Sequence, residues 1–236
     1  MFTSISAVMP AYNEEENVET ATRRMVEALG ALPLRQWEVI VVDDGSHDRT
    51  GEILTSLSAE DPDRIRVFHH SPNRGYAEAL KTGFTGARYQ LIFYTDSDNQ
   101  FDVRELSKLL PLIEDADVVC GFRIYRFDPL SRLIASWVFN LLVRVVFRIN
   151  VRDIDCAFKL FRREVFDRVT IESKKFFVDA EVLAKARYFG MRLVEIGVRH
   201  YPRPAGVSTI RPSHVPSTLM ELARIWVSIH SKPRHK

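Results

Sequence analysis

Several features that would assign this chain to other protein classes are scarce or absent. It has two cysteines, Cys120 and Cys156, which support neither a disulfide framework nor a zinc cluster, so a reducing, cytoplasmic setting is expected. No apolar run approaches the ~20 residues that a membrane-spanning helix requires. Residues 1–9 lack the basic leader and the cleavage site of a secretory signal. The sequence therefore predicts a globular protein that does not cross a bilayer.

Charge and glycine content exclude further classes. The 236 residues carry a formal net charge of +2, which is too small to indicate a nucleic-acid partner, so none is expected. Neither the G-x-G-x-x-G dinucleotide fingerprint nor the G-x-x-x-x-G-K-[ST] phosphate loop is present. A bound diphosphate would therefore need a cation and arginines instead of a glycine-rich cradle. The sequence has acidic pairs near strand ends and many arginines in its middle part.

Strand-like and helix-like segments alternate through the first half. Short apolar segments cover residues 5–9, 37–42, 65–68 and 91–95, and segments with helical periodicity separate them. This order predicts right-handed βαβ units around a mostly parallel sheet flanked by helices. Ligands bind at the carboxyl ends of the strands in such sheets, and four polar loops, 12–14, 43–46, 73–75 and 96–100, are expected at that edge.

The segment after the strand at residues 91–95 is the centre of this interpretation. Asp96 and Asp98 stand two residues apart, so on an extended chain their carboxylates point to the same side and can bind one hard divalent cation. Such a cation suits a diphosphate ligand. The alternative is that residues 96–99 form a turn with solvated carboxylates.

Taken together, these motifs resemble family-2 glycosyltransferases with the GT-A fold. The matching segments are Pro10-Ala11-Tyr12-Asn13-Glu14-Glu15, Val42-Asp43-Asp44-Gly45-Ser46, Asn73-x-Gly75 and Asp96-Ser97-Asp98. The second half is similar to the polyprenol-phosphate sugar synthases: Gln100 follows the acidic pair, Gly121-Phe122-Arg123 follows the next strand, and Arg132 and Ser136 begin an amphipathic helix. Further matches are 153–159 and Arg203-Pro204-Ala205-Gly206-Val207-Ser208.

The resemblance implies a GT-A domain over residues 1–211, with a nucleotide-sugar half at about 1–120, an acceptor half at about 121–211, and a helical, basic tail at 212–236. It also implies Mg²⁺ or Mn²⁺ as cofactor, held by Asp96 and Asp98 with Gln100. The residues implied to frame the nucleotide sugar are Pro10, Ala11, Tyr12, Glu14, Asp43, Asp44, Asn73, Asp96 and Ser97. Transfer in this family inverts the anomeric centre by direct attack of the acceptor.

The acceptor that the resemblance implies is a polyprenyl phosphate at the cytosolic face of a membrane. A phosphate is already anionic, so it needs counter-charge more than a strong base, and we expect Arg123, Arg132 and Arg203 to supply that charge. A hydroxyl acceptor would instead require a carboxylate base. The candidates for such a base are Asp179, Glu181, Asp153 and Asp155, with a substrate-site or helix-capping role expected for Asp179 and Glu181.

Two segments are candidates for peripheral membrane contact. Residues 129–149 combine an apolar stripe with arginines, as does a helix that lies at a lipid interface; a core-packing helix shows the same stripe. The end of the chain, from Leu219 to Lys236, is the second candidate. The rival functions are a transferase of the same fold that acts on a glycan or glycolipid hydroxyl and a non-catalytic subunit that binds nucleotide sugars.

Overall fold

The computed structural model describes residues 2–126, 130–173, 177–203 and 215–231, without the side chains of 131, 132, 215–219, 230 and 231. Its strands are β1 Ser4–Ala11, β2 Gln36–Asp43, β3 Ile65–His69, β4 Leu91–Thr95, β5 Val118–Arg123, β6 Phe158–Arg162 and β7 Leu193–Val198. Its helices are α1 Val18–Gly30, α2 Thr50–Glu60, α3 Tyr76–Gly86, α4 Leu106–Ile113, α5 Leu130–Phe147, α6 Glu164–Arg168, α7 Val178–Tyr188 and α8 Val215–Ser231. A 3₁₀ turn, Val103–Glu105, precedes α4.

The strands form one sheet in the order β3-β2-β1-β4-β6-β5-β7. Neighbouring strands are parallel except around β6, which runs antiparallel to both β4 and β5. The prediction of a mostly parallel sheet flanked by helices is confirmed. Because β6 is reversed, its first residues, rather than its last, lie beside the carboxyl end of β4: Phe158 pairs with Thr95 and Lys159 pairs with Tyr94.

Two hydrophobic cores lie on the two faces of the sheet, as the alternation of side chains along a strand requires. On β1, Ile5, Ala7 and Met9 belong to one core, which includes apolar side chains of α1, α2 and α4. Val8 of the same strand belongs to the other, which includes side chains of α3, α5, α7 and α8. The result is an α/β/α arrangement in which the loops at the strand ends remain free of the cores.

The amphipathic helix expected at 129–149 is observed as α5, Leu130–Phe147. Within the ranges that the structure describes, no helix combines the length and apolarity needed to span a membrane. The helical segment expected after β2 is α2, and its N-cap residue is Arg49. Asp48, just before it, accepts a hydrogen bond from the backbone amide of Thr50 at 3.0 Å.

The contact between α3 and β1 depends on a glycine. A Cβ built on Gly83 would lie 2.3 Å from Cγ1 of the buried Val8, whereas a Cβ on Gly30 would lie 3.7 Å from the nearest atom of Trp37. We therefore expect Gly83→Ala to lower the free energy of unfolding by about 1–3 kcal/mol through overpacking. Gly30→Ala is the matched control and should be neutral or slightly stabilising. Urea denaturation measures both, and equal stability of the two variants would contradict this packing.

Candidate active site

Side chain to backbone hydrogen bonds connect the loops after β1 and β2. The backbone amide of Asn13 donates to Ser46 Oγ at 2.9 Å, and that of Glu14 donates to Thr50 Oγ1 at 2.8 Å. In return, Asn13 Oδ1 accepts a hydrogen bond from the amide of His47 at 2.9 Å. Asn13 has a φ of +54°, a conformation that asparagine tolerates better than most residues. These bonds fix the two loops as one rigid edge.

The loop before α3 is attached to the same edge by Asp44. Its carboxylate accepts hydrogen bonds from the backbone amides of Arg74 (3.0 Å) and Gly75 (2.8 Å) and contacts His70 Nδ1 at 2.7 Å. The side-chain amide of Asn73 donates to the Asp44 carbonyl at 2.7 Å. Asp44 is buried, and its oxygens are used within the protein. The geometry thus favours a structural role for Asp44 and Asn73, and a direct ligand contact for either stays a prediction.

The loop after β4 is joined to the end of β1. Ser97 is buried, and its hydroxyl donates to the Pro10 carbonyl at 2.8 Å. Ala11 accepts a hydrogen bond from the amide of Asp44, and the ring of Tyr12 meets His47 edge to face, with centroids 6.4 Å apart. Hydrogen bonds therefore connect the four predicted loops at the carboxyl edge of the sheet, each to at least one neighbour.

Asp43 is positioned by its own turn. Its Oδ1 accepts a hydrogen bond from the amide of Ser46 at 3.0 Å, and its Oδ2 lies 3.0 Å from Nδ1 of His69. His69 is half exposed at the end of β3. Asp43 and His69 therefore form a polar pair at the outer side of the edge.

Asp96 and Asp98 lie at the end of β4. Asp98 Oδ1 accepts a hydrogen bond from the amide of Gln100 at 3.1 Å, while the Gln100 side chain donates to the Tyr201 carbonyl at 3.0 Å. Asn99, between them, has a φ of +59° and donates to the Asn17 carbonyl at 3.0 Å. Partial burial raises the pKa of both carboxylates because a low-dielectric setting disfavours the charged form.

Arg203 brings positive charge to this pair from a distant part of the chain. Its Nη2 forms an ion pair with Glu14, and its Nη1 lies 3.9 Å from Asp98 Oδ2. All three side chains are largely shielded from solvent, so the interactions are weakly screened. Of the two predicted acceptor arginines whose side chains the structure describes, Arg123 and Arg203, it is Arg203 that lies beside the acidic pair.

The donor set suits a cation that is shared with a ligand. Where the structure describes the chain, no group of three or more His, Cys, Asp or Glu side chains could hold a metal ion unaided. Mg²⁺ characteristically binds through one or two carboxylates together with substrate phosphates and water. Asp96 and Asp98 match that requirement by type and position.

A row of buried polar side chains in successive contact extends from Asp96 into the protein, and it was not predicted from the sequence. The Tyr76 hydroxyl donates to Asp96 Oδ1 at 3.1 Å and lies 2.9 Å from the hydroxyl oxygen of Tyr94. Tyr94 in turn donates to Asp179 Oδ2 at 2.9 Å, and Lys159 Nζ donates to Asp179 Oδ1 at 2.7 Å. Lys159 is fully buried and also donates to the Cys156 carbonyl.

Burial and neighbouring charges set the protonation states of Asp96, Tyr76 and Tyr94 in this chain of contacts. Burial, Asp98 and Asp179 raise the pKa of Asp96 to about 8. Burial and nearby carboxylates also raise the pKa of Tyr76 and Tyr94 well above the ordinary value, so both hydroxyls keep their hydrogen. Asp96 is therefore the group among these three whose charge changes closest to neutral pH.

The remaining predicted arginines have other surroundings. Arg123 forms a two-bond ion pair with Asp153, with both N–O distances at 2.7 Å, and is neither solvated nor free. Arg126, three residues further on, donates to Ser136 Oγ at 2.9 Å. The side chain of Arg132 lies outside the described residues, as do positions 204–208 of the last motif.

Three of the four carboxylates considered as possible bases are engaged within the protein. Asp153 is paired with Arg123, and Asp179 with Lys159 and Tyr94. Glu181 is fully buried, accepts hydrogen bonds from the amides of Glu172 and Ser173, and pairs with Lys185. Neither Asp179 nor Glu181 bonds to the amides of the first turn of α7, so the helix-capping interpretation is wrong. Asp155 is exposed.

One signal in the sequence could have revealed the buried chain. Tyr94 and Asp96 stand two residues apart at the end of a strand, so their side chains share a face. Lys159 stands between the apolar residues Phe158 and Leu160 in a strand segment whose other charged residue, Arg162, is at its end, and a buried lysine needs an anionic partner. The partner itself, Asp179, could not be identified by spacing.

The comparisons with known proteins agree with this geometry. A model of the family described as "Glycosyl transferase family 2" matches residues 6–170. Among curated relatives, glycosyltransferase AglD of Haloferax volcanii is 35% identical over 98% of this chain. Polyprenol monophosphomannose synthase of Mycolicibacterium smegmatis is 30% identical over 92% of it. The chain spans 38% of the length of the first relative and 84% of the second.

Solved structures show the same fold. Glucosyl-3-phosphoglycerate synthase from Mycobacterium tuberculosis, crystallised with Mn²⁺, UDP and glucosyl-3-phosphoglycerate, superposes with a TM-score of 0.73 at 16% sequence identity, covering 98% of this chain and 81% of that one. The mostly parallel sheet flanked by helices is thus that of a GT-A fold. By the family model and its curated relatives, this chain belongs to glycosyl transferase family 2.

Proposed function

We propose that the chain transfers a hexose, with inversion, from a nucleotide sugar such as GDP-mannose or UDP-glucose to a polyprenyl phosphate, and that it requires Mg²⁺ or Mn²⁺. The observation that carries the proposal is the meeting of Asp96, Asp98 and Arg203 where the four loops join. The names of two relatives support the acceptor: a polyprenol monophosphomannose synthase and a dodecaprenyl-phosphate galacturonate synthase of Rhizobium johnstonii, 29% identical over 98% of this chain.

Each group at the edge has a role in this proposal. Asp96 and Asp98 would hold the cation, whose Lewis acidity stabilises the charge that develops on the departing nucleoside diphosphate. The loop of Pro10, Ala11 and Tyr12, with Asp43, would border the nucleoside. Arg203 is always charged, and its planar guanidinium can pair phosphate oxygens through two hydrogen bonds. It therefore offsets the repulsion between two anionic substrates.

The state of the carboxylates favours an anionic acceptor. Asp179 stands where a hydroxyl-directed enzyme would keep its base, but it is buried and paired with Lys159. Both oxygens of this carboxylate are engaged within the protein, one by the Tyr94 hydroxyl and the other by Lys159 Nζ. A phosphate acceptor needs no such base.

The exposed face of α5 supports contact with a lipid surface. Seven apolar side chains at helical spacing are between 40% and 72% exposed: Leu130, Ile134, Trp137, Val138, Leu141, Leu142 and Val145. The opposite face carries buried Asn140, which accepts a hydrogen bond from the amide of Ile154 at 2.8 Å. The inner face also places Val143 and Phe147 in the core, so the exposed apolar stripe is additional to the face that packs on the protein, and it suits a lipid interface.

Asp155 favours a second candidate function, transfer to a hydroxyl. It is exposed, and no hydrogen bond or ion pair to it is found within the described ranges. It follows Asp153, which holds Arg123. An unpaired carboxylate of this kind could accept the proton of a hydroxyl acceptor.

Acceptor chemistry separates the two candidates. We expect radiolabelled hexose to be transferred to undecaprenyl phosphate and not to undecaprenol, which has the same chain and a hydroxyl in place of the phosphate. Asp155→Asn should then leave transfer within a few-fold of the unmodified protein. Transfer to undecaprenol that is lost in Asp155→Asn would favour the second candidate.

The cation requirement is tested with a variant of the acidic pair. Asp98→Asn should reduce transfer by about 100- to 1,000-fold, as does loss of other groups that stabilise developing charge. It should also remove the Mn²⁺-dependent rise in melting temperature that a bound nucleotide sugar produces. Asp102→Asn, at an acidic residue that pairs with Arg104 outside the site, is the matched control and should behave as the unmodified protein does. Full transfer in the presence of EDTA would contradict the proposal.

The raised pKa of Asp96 predicts the pH dependence of cation binding. With a pKa of about 8, Asp96 is protonated at pH 6, and a proton competes with the cation for the same oxygens. Mn²⁺ affinity should therefore increase from about pH 6 to about pH 8, as measured by electron paramagnetic resonance of free Mn²⁺. Asp96→Asn should weaken binding and flatten this dependence, and an unchanged profile in that variant would contradict it.

Contact of α5 with lipid is tested by one substitution at its most prominent aromatic residue. Trp137 is 65% exposed, and loss of its burial in lipid should weaken co-sedimentation with phosphatidylglycerol-containing vesicles by about tenfold or more. Donor-induced stabilisation should be unchanged in Trp137→Ser. Val227→Ser, at an exposed position of α8, reports on the other candidate segment. Unchanged vesicle binding in Trp137→Ser would contradict a role for α5.

A further inference from the structure

We propose that Tyr76, Tyr94 and Lys159 are positioning residues that, together with Asp179, hold the Asp96 carboxylate in the orientation needed to bind a divalent cation. The inference rests on the cation role proposed for Asp96. It assigns functions to Tyr76 and Tyr94, which belong to none of the sequence motifs, and to Lys159, which ends the 153–159 motif.

The geometry leaves Asp96 one oxygen for a ligand. Tyr76 donates to Oδ1 at 3.1 Å, and this fixes the rotation of the carboxylate about its last side-chain bond. The second oxygen, Oδ2, remains for a cation shared with Asp98. Groups that hold a ligating carboxylate in place typically change metal affinity by about 10- to 100-fold when they are removed.

Tyr76 is itself positioned by a contact with Tyr94. Its hydroxyl oxygen lies 2.9 Å from that of Tyr94, and Tyr94 is anchored by Asp179 at 2.9 Å. Tyr94 is 1% exposed, and its ring packs edge to face on Phe84 with centroids 5.9 Å apart. Because both the ring and the hydroxyl of Tyr94 are constrained, Tyr94 holds the hydroxyl of Tyr76 in one position.

Lys159 is the last member of this chain, and the reversed direction of β6 places it there. The antiparallel pairing of β6 with β4 places Lys159 directly opposite Tyr94, with Nζ 5.5 Å from the centre of the Tyr94 ring. It neutralises Asp179, which would otherwise be a second buried negative charge close to the acidic pair. If β6 ran parallel to β4, its last residues would lie beside the carboxyl end of β4, and Lys159 would not.

Fixed geometry along a chain of contacts has a distinct energetic signature. If Tyr94 acts on Asp96 only through Tyr76, removal of either hydroxyl breaks the same connection, and removal of both costs little more than removal of one. Independent structural contributions would instead add. The double variant therefore distinguishes positioning from general stability.

Mn²⁺ binding to the intact chain in the presence of a nucleoside diphosphate, measured by electron paramagnetic resonance of free Mn²⁺, tests the proposal, because diphosphate oxygens complete a site of two carboxylates. Tyr94→Phe and Tyr76→Phe keep their rings and should each raise the dissociation constant for Mn²⁺ by about 10- to 100-fold. The double variant should be within about twofold of the weaker single variant. Tyr89→Phe, at a tyrosine next to the opposite end of β4, is the matched control and should bind as the unmodified protein does.

The possible failures are distinguishable. If Asp96→Asn abolishes Mn²⁺ binding while Tyr94→Phe and Tyr76→Phe bind normally, or if the two tyrosine effects add in full, the positioning role is overturned and the cation site stands. If the unmodified protein does not bind Mn²⁺, both inferences fail. Should Tyr94→Phe not fold, Tyr76→Phe at its half-buried position gives the same test.

Discussion

Negative charge is concentrated at the end of β4, and the surrounding structure is arranged to tolerate it. Asp96, Asp98 and Glu14 lie close together, with Asp179 beneath them. Charges of one sign in a partly buried site are costly unless cations or hydrogen-bond donors compensate. Within the protein, Arg203 compensates from the outside and Lys159 from the inside. A divalent cation with its diphosphate would complete the balance, which is why the acidic pair is most readily understood as a binding site.

The framework around this charge is rigid because its loops bond to one another rather than to solvent. Asp44 and Ser97 use their polar atoms to connect neighbouring loops. Hydrogen bonds that carboxylates accept from backbone amides are stronger than neutral ones, and they keep the loops proposed to border the nucleotide in one conformation.

The part of the chain proposed to face the acceptor differs. It contains α5, whose apolar face has no protein covering it in the described part of the chain.

Much of this arrangement could be predicted from the sequence. The alternation of apolar segments gave the parallel part of the sheet, and the rule that ligands bind at the carboxyl ends of strands brought four separate loops to one edge. What could not be predicted are contacts between residues far apart in the sequence. Arg203 and Glu14 are 189 positions apart, and the reversed direction of β6, which brings Lys159 to Tyr94, leaves no periodic signal. The pairing of Arg123 with Asp153 was likewise not foreseen, and a role for Arg123 at the acceptor stays a prediction.

The most direct test of the account is to locate the cation itself. Crystals grown with Mn²⁺ and a nucleoside diphosphate should give an anomalous difference peak at the manganese absorption edge between Asp96, Asp98 and the diphosphate, with carboxylate oxygens at roughly 2.0–2.2 Å, close to the distances typical of Mg²⁺. A peak elsewhere in the protein, or an ordered diphosphate bound at this edge with no peak beside Asp96 and Asp98, would contradict the central claim.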